Sequence, residues 1–177
     1  MTTLIDAPVA HAASRSPVMA LAGLLDELAA VLRDVPPSIY TACLIPGVSG
    51  SIGQHVRHCL DHVSALLRAS AAAPLSYDRR ERGTDVETDL AKALERIARL
   101  NEDLAAWSLL PLDIRIRVRA LVSGDEEVTG GSTLARELAF VVSHTIHHHA
   151  TIAVLLAMHG CRVPERFGHA PSTPSPR

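Results

Sequence analysis

The longest helical pattern in this chain covers Ser132–His159, STLARELAFVVSHTIHHHATIAVLLAMH. Its apolar residues recur at steps of three and four, which is the spacing of one face of an α-helix. Ser132 or Thr133 can cap the first turn, because a side-chain oxygen accepts from a free backbone N–H there. Gly160 is a typical helix stop. The stretch therefore predicts a long amphipathic helix, whose buried arc contains Leu134, Leu138, Val141, Ile152, Leu155 and Leu156.

Four clustered histidines, His144, His147, His148 and His149, lie near the middle of this predicted helix. His144 and His148 are four residues apart, so they share a face at about 40° from each other, next to the apolar arc. His147 leans toward the polar side. His149 points into the apolar arc and away from the pair, which indicates packing or a subunit contact. A helical pair with this spacing can bind one metal ion, as in zinc proteases, but the glutamate that follows the first histidine there is Thr145 here.

A second group of histidines, His55, His58 and His62, lies in another predicted helix. Ser51 and Gln54 form the capping-box pattern that starts it. The three imidazoles lie within about 60° of one another at the edge of an apolar arc, so periodicity leaves open which of them faces the first pair. Three or four nitrogens from the two helices would suit zinc, nickel, iron or copper. Three ligands would leave a coordination position for water or substrate.

The rest of the chain predicts a small hairpin and two more helices. Alternation in Leu112–Val122 predicts a half-exposed strand, and a short partner near Glu127–Thr129 would complete the hairpin before Gly130-Gly131 ends the pairing. The three other helices are predicted at Pro17–Arg33, at Ser51 to about Ala72, and at Thr84 to about Trp107. Four helices with short connections predict an all-α fold, a four-helix bundle with a small β-hairpin between helices 3 and 4.

The bundle is expected to occupy residues 17–160 as one domain. Residues 1–16 mix small and polar side chains and are expected to be disordered. Residues 161–177 contain four prolines and are expected to form an irregular tail. Val35–Gly50 and Leu75–Gly83 are expected to be loops.

Charge and cysteine content argue against several functional classes. The net charge is −2 and the pI about 6.5, so the sequence lacks the basic excess that phosphate backbones require, and no nucleic-acid partner is expected. Three cysteines without a CxxC pair fit a reducing cytosol. No apolar run approaches the ~20 residues of a membrane span, and no signal-peptide pattern opens the chain. A cytoplasmic protein with no membrane contact is expected.

At its histidines the sequence resembles the DinB/YfiT-like superfamily of metal-binding four-helix bundles. The segment GSIGQHVRHCLDH, residues 50–62, resembles the first motif of that superfamily and places a ligand on His58. The segment SHTIHHHATI, residues 143–152, resembles the second motif and places ligands on His144 and His148. His62 is an additional ligand candidate. The segments around residues 132–137 and 167–173 also look like an uncharacterised subgroup of the superfamily.

The resemblance implies an up-down-down-up bundle, a three-histidine site for a divalent metal (zinc, nickel or iron) and a homodimer. It also implies a small-molecule substrate and two classes of activity: transfer or isomerisation with a low-molecular-weight thiol, and hydrolysis. Many members have Arg-Gly-Gln after the last ligand, where this chain has His149-Ala150-Thr151. The polar contacts of that segment are therefore not carried over.

The sequence supports three hypotheses about function. In the first, the protein is an enzyme whose metal lowers the pKa of a thiol or water. Asp61 and Glu137 are then candidates for orienting a ligand or for acting as general base, the alternative being that both are solvated helix charges. Tyr40 and Phe167 are candidates for closing the pocket. In the second hypothesis the metal is structural, and in the third the protein is a helical interaction module without metal.

Overall fold

A computed structural model describes residues 16–44, 50–69, 73–78 and 83–174 of the protein. It contains four long helices, two one-turn helices and one two-stranded antiparallel sheet over these residues. The expectations for residues 1–15 and 175–177 lie outside the described residues. The elements are α1 Pro17–Leu32, α2 Pro37–Tyr40, α3 Ile52–Leu67, α4 Asp85–Thr88, α5 Leu90–Ala105, β1 Arg115–Ser123, β2 Glu126–Thr133 and α6 Leu134–Met158.

The four long helices pack around an aliphatic core. Both α1 and α3 contact α5 and α6, so each long helix has two long neighbours. Leu21 of α1, Leu66 of α3 and Leu138 of α6 are completely buried in this core. Burial of one such side chain stabilises a fold by about 1.5–3 kcal/mol. The expected mostly helical fold with a small hairpin is confirmed.

The first histidine-bearing helix, α3, begins where the sequence predicts. The Ser51 side chain accepts from the backbone N–H of Gln54, and the Gln54 side chain accepts from the backbone N–H of Ser51, so the capping box is complete. The predicted end near Ala72 is wrong, because the helix ends at Leu67 with Arg68 as its C-cap.

The predicted helix from Thr84 to Trp107 is interrupted. It divides into α4 and α5 at Asp89, whose backbone is extended (φ −120°, ψ 107°) and whose side chain accepts from the N–H groups of Ala91 and Lys92. A short acidic side chain that caps a helix competes with helix continuation. At the start of α4 the Thr84 side chain makes no capping hydrogen bond.

The hairpin is longer than the sequence predicts. β2 continues through Gly130 and Gly131, which pair with Val118 and Arg117 of β1, and it ends only at Thr133. The predicted break at the two glycines is therefore wrong. The outer edge of β1 pairs with the backbone of Leu75. The Leu75 N–H donates to the Arg117 carbonyl, and the Leu75 carbonyl accepts from the Arg119 N–H, at 2.8 Å each. The expected loop around Leu75 is thus partly anchored to the sheet.

The tail after α6 contains neither helix nor strand from residue 161 to 174, as expected. It is nevertheless attached to α6. The Phe167 ring is 2% exposed and stacks on His149 with centroids 4.6 Å apart. At Gly168 (φ 78°) the backbone passes so close to Ala150 that an added Cβ would lie 2.5 Å from the Ala150 Cα. Glycine is required at this crossing.

Among the described residues, α6 is the helix that is long and apolar enough to cross a membrane by length and composition. The sequence predicts no such segment, because no apolar run approaches ~20 residues. In the structure α6 packs against α1 and α3 and has the completely buried carboxylate of Glu137 in its first turn. The core helix of a globular domain has the same length and composition.

The two one-turn helices press against the beginning of α3. α2 lies within the expected loop Val35–Gly50, and its Tyr40 hydroxyl donates to the Val86 carbonyl of α4 at 2.7 Å. Gly53 of α3 lies directly beneath both helices. A Cβ added at Gly53 would stand 2.1 Å from the Glu87 carbonyl oxygen and 2.8 Å from the Tyr40 ring. The missing side chain at Gly53 is what allows α4 to approach α3.

Two glycine substitutions test this close approach. Gly53→Ala is expected to lower the free energy of unfolding by about 1–3 kcal/mol, because the new methyl group overlaps the Glu87 backbone. The matched control is Gly23→Ala in α1, where an added Cβ meets nothing within 4 Å. That change should raise the free energy of unfolding by about 0.5–1 kcal/mol, since glycine is a poor helix former. Urea denaturation of both variants measures the difference, and equal stability would contradict the described contact.

Candidate metal centre

Three of the predicted ligands meet at the contact between α3 and α6. His58 comes from α3, while His144 and His148 lie one turn apart on α6. One ring nitrogen from each of the three lies within 4.8 Å of the others. His58 Nε2 and His144 Nε2 are 3.0 Å apart. The structure thus joins two segments that are 86 residues apart in the sequence.

The spacing of these nitrogens suits a shared ion. Two nitrogens bound tetrahedrally at about 2.0–2.1 Å from one metal stand about 3.3 Å apart. The His58–His144 separation of 3.0 Å is close to that value. Without a bound metal, one of the two Nε2 atoms would have to donate a proton to the other, because two bare lone pairs at this distance would repel. Metal binding would replace this proton. The set of three imidazoles therefore fits a divalent transition metal.

His148 is held in the neutral form that a ligand requires. Burial, followed by the neighbouring His144 and His55 rings, lowers the pKa of His148 to about 3. Its Nδ1 lies 3.1 Å from His55 Nδ1, so one ring donates to the other. Burial and His147 also lower the pKa of His55. His55 is thus a hydrogen-bond partner of a ligand and lies outside the group of three.

A family model described as the DinB superfamily matches residues 20–152. The chain belongs to the DinB superfamily. The chain is also 33% identical over 115 residues to a protein of Rhizopus delemar named FK506-binding protein 5. That match covers 63% of this chain and 30% of the Rhizopus protein, so the chain spans less than a third of this curated relative's length. DinB membership and the histidine cluster together indicate metal binding.

His62, the additional ligand candidate of this DinB chain, makes contact with two of the three histidines. Its Nδ1 lies 2.9 Å from the His58 carbonyl oxygen. A carbonyl oxygen only accepts, so Nδ1 carries the proton. The His62 ring stacks on that of His144, with centroids 3.9 Å apart. His62 is not among the three residues whose ligand atoms lie within mutual reach.

The two acidic candidates differ in their surroundings. Asp61 forms an ion pair with Arg57 at 2.5 Å, and Arg57 also binds Glu87 at 2.6 Å. Glu137 is completely buried, and its carboxylate accepts from Tyr77, Ser132 and Arg136. The interpretation of Glu137 as a solvated helix charge is therefore wrong. Tyr77 lies in the segment expected to be a polar loop, so helical periodicity gave no signal for it.

The remaining histidines of α6 behave as the apolar arc predicts. His147 is exposed, whereas His149 is completely buried against Phe167. The suggested pocket-closing residues contact other parts of the DinB fold: Phe167 stacks on His149, and Tyr40 binds the Val86 carbonyl.

Burial of His149 has a consequence for stability against pH. Neither ring nitrogen has a hydrogen-bond partner, and Glu27 Oε2 approaches Nδ1 only to 3.7 Å. Burial lowers the pKa of His149 to about 4 and raises that of Glu27. The close approach is thus not a charged pair at neutral pH. Since the unfolded chain takes up the proton near pH 6.5, stability should fall as the pH drops from about 6.5 to 4.

His149→Leu tests this dependence in protein stripped of metal. The variant places an apolar side chain of similar size at this position, so its free energy of unfolding should fall less between pH 7 and pH 4 than that of the unchanged protein. The difference should be on the order of 3 kcal/mol. Denaturant titrations at several pH values measure it. His147→Leu, at the exposed neighbouring position, should change the pH dependence much less than His149→Leu does. Parallel pH profiles for His149→Leu and the unchanged protein would contradict the prediction.

Proposed function

We propose that this DinB protein binds one divalent metal ion through His58, His144 and His148 and uses it as an enzyme that activates a low-molecular-weight thiol or a water molecule. The observation that carries the proposal is the convergence of three imidazole nitrogens within 4.8 Å from two helices. Three ligands leave a coordination position for a reactant, which is the arrangement of catalytic rather than structural sites. The reaction class is thiol transfer or isomerisation, or hydrolysis.

The protein residues would contribute binding and orientation. The metal, when bound, supplies Lewis acidity that lowers the pKa of a coordinated thiol or water. His58 and His144 are half-buried and His148 is 9% exposed, so a small substrate would approach from the side of His58 and His144. His55 orients His148 through the Nδ1–Nδ1 contact. Asp61 is 27% exposed at its side chain and lies one turn from His58, so it is the better placed of the two acids to act as general base.

Further parts of the proposal concern the whole molecule. Zinc, nickel and iron are the proposed metals, because each accepts neutral imidazoles. The proposed unit is residues 17–160, arranged as an up-down-down-up four-helix bundle and assembled as a homodimer in the cytoplasm. The net charge of −2 supports a small-molecule substrate rather than a nucleic acid.

The alternative function is a non-catalytic scaffold homodimer with a structural metal. The observation that favours it is the number of nitrogens at the site, because His55 and His62 lie next to the three proposed ligands. A fourth imidazole would close the coordination shell. Metal that bridges α3 and α6 would then contribute directly to folding.

Metal analysis of single variants tests the proposed site. Protein purified without a tag should contain about one divalent ion per chain, as one three-ligand site requires. His144→Ala and His148→Ala should each lose the ion, because two imidazoles bind far more weakly than three. His147→Ala is the matched control on the same turn of α6, and it should retain the ion. Elemental analysis by mass spectrometry measures the content. Stoichiometric metal in the double variant His144→Ala/His148→Ala would rule out this ligand set.

Chelation separates the enzyme from the scaffold. The aliphatic core of the four long helices does not include the site, so protein treated with EDTA should keep its helical circular dichroism and melt only a few degrees lower. Cobalt-substituted protein should change its visible spectrum when a small thiol is added, because a coordination position is open. Unfolding on chelation, together with a spectrum that thiols leave unchanged, would favour the structural metal.

A further inference from the structure

Glu137 places a completely buried carboxylate in the first turn of α6. Burying a carboxylate is costly unless hydrogen-bond donors compensate. Three donors do so: the Tyr77 hydroxyl at 2.9 Å from Oε2, the Ser132 hydroxyl at 2.6 Å from Oε1, and Arg136 Nη1 at 2.9 Å from Oε1. Loss of any of these partners would leave a buried carboxylate oxygen short of a hydrogen-bond donor, which is costly. The hydrogen bonds to Glu137 therefore fix the position of each donor.

The ring of Tyr77, whose position Glu137 fixes, packs against the histidine His62. The two rings are nearly parallel, with an interplanar angle of 6° and centroids 5.1 Å apart. Phe140 of α6 contacts the same two rings, at 5.1 Å from Tyr77 and 6.2 Å from His62. Burial, and then the charge of Glu137, raise the pKa of Tyr77, so its hydroxyl remains a donor at every physiological pH.

His62 connects the two helices that carry the proposed ligands. On α3, its Nδ1 donates to the His58 backbone carbonyl one turn earlier in the same helix, and its ring lies 4.5 Å from the His58 ring between centroids. Across the helix contact, its ring stacks on His144 of α6 at 3.9 Å with an interplanar angle of 25°. A shift of α6 relative to α3 would therefore break the stack on His144. His62 itself is held from two sides, by the α3 backbone and by the ring of Tyr77.

We propose that Glu137, Tyr77 and His62 form a positioning relay that holds His58 and His144 at metal-binding distance before the ion arrives. This inference rests on the proposed metal site. His62 acts through the ligands and is not bound to the ion. Ligands that are already in place lose little conformational freedom on binding, so the relay strengthens metal affinity without adding a bond.

Tyr77→Phe tests the relay, because it removes the hydroxyl and keeps the stacked ring. We expect metal affinity to fall by about 10–100-fold, the usual effect of removing an outer partner of a metal ligand. The cobalt-substituted variant should also show an altered visible absorption spectrum, since the angle between His58 and His144 changes. Competition with a chromophoric chelator measures affinity for zinc and for cobalt.

Tyr40→Phe is the matched control. Tyr40 is completely buried and Tyr77 half-buried, and the Tyr40 hydroxyl likewise makes a hydrogen bond to another segment, to the Val86 carbonyl. It has no part in the relay. Both variants should lose stability in denaturant titrations, Tyr77→Phe more because a buried carboxylate loses a donor, but Tyr40→Phe should keep the affinity and the cobalt spectrum of the unchanged protein. If Tyr77 had a purely structural role, Tyr77→Phe would keep the metal affinity and the cobalt spectrum, as Tyr40→Phe should.

His62→Phe provides a second variant in case Tyr77→Phe folds poorly. It keeps an aromatic ring against Tyr77 and His144 and removes the Nδ1–H donor to the His58 backbone carbonyl. The variant should therefore bind metal more weakly and show an altered cobalt spectrum, while still binding about one ion. Unchanged affinity and spectrum in both variants would overturn the relay and leave the metal site standing. Absence of metal binding by the unchanged protein would instead overturn the proposed function, and the relay with it.

Discussion

The contact between α3 and α6 is the feature on which the candidate site depends. These two helices belong to distant parts of the chain, and each contributes histidines on the side that faces the other. The 3.0 Å approach of His58 Nε2 to His144 Nε2 depends on the relative position of the two helices. The aliphatic core fixes that position, because closely packed side chains allow little sliding. Packing thus determines the ligand geometry.

Burial of the histidines gives the site its electrostatic character. A cluster of imidazoles at these distances cannot hold several protons, because like charges would lie within a few ångströms of one another. The structure avoids this repulsion by keeping His148 and His55 neutral. The acidic side chains nearby are engaged elsewhere, Asp61 with Arg57 and Glu137 with its donors. The cluster is therefore rich in lone pairs and poor in charge, which suits a metal cation.

Much of the fold and of the ligand set follows from local pattern. The spacing of apolar residues predicts the long helices, and the angle between His144 and His148 predicts their common face. Of the three α3 histidines that periodicity leaves equivalent, the motif resemblance places the ligand on His58, and the structure brings His58 within reach of His144 and His148. These features are predictable because each depends on residues within a few turns of one another.

The features that the sequence did not predict depend on distant contacts. Gly130 and Gly131 have no strand preference of their own, and they join β2 because β1 supplies hydrogen-bond partners. Asp89 stops a helix that periodicity continues, because its side chain satisfies the next N–H groups. Tyr77 stands in a segment without periodicity, and only the folded chain brings it to Glu137 and His62.

The hairpin and α6 share a junction without any linker. Thr133 is both the last residue of β2 and the N-cap of α6. The chain just before β1 returns to the same turn, where the carbonyls of Ile114 and Leu112 accept from Leu134 N and Ala135 N at 2.8 Å. Residues 112–135 therefore form a loop that is closed at its base. A longer or shorter tip near Gly124 would leave the hydrogen bonds at the base unchanged. The distances among the imidazoles therefore do not depend on the length of the hairpin.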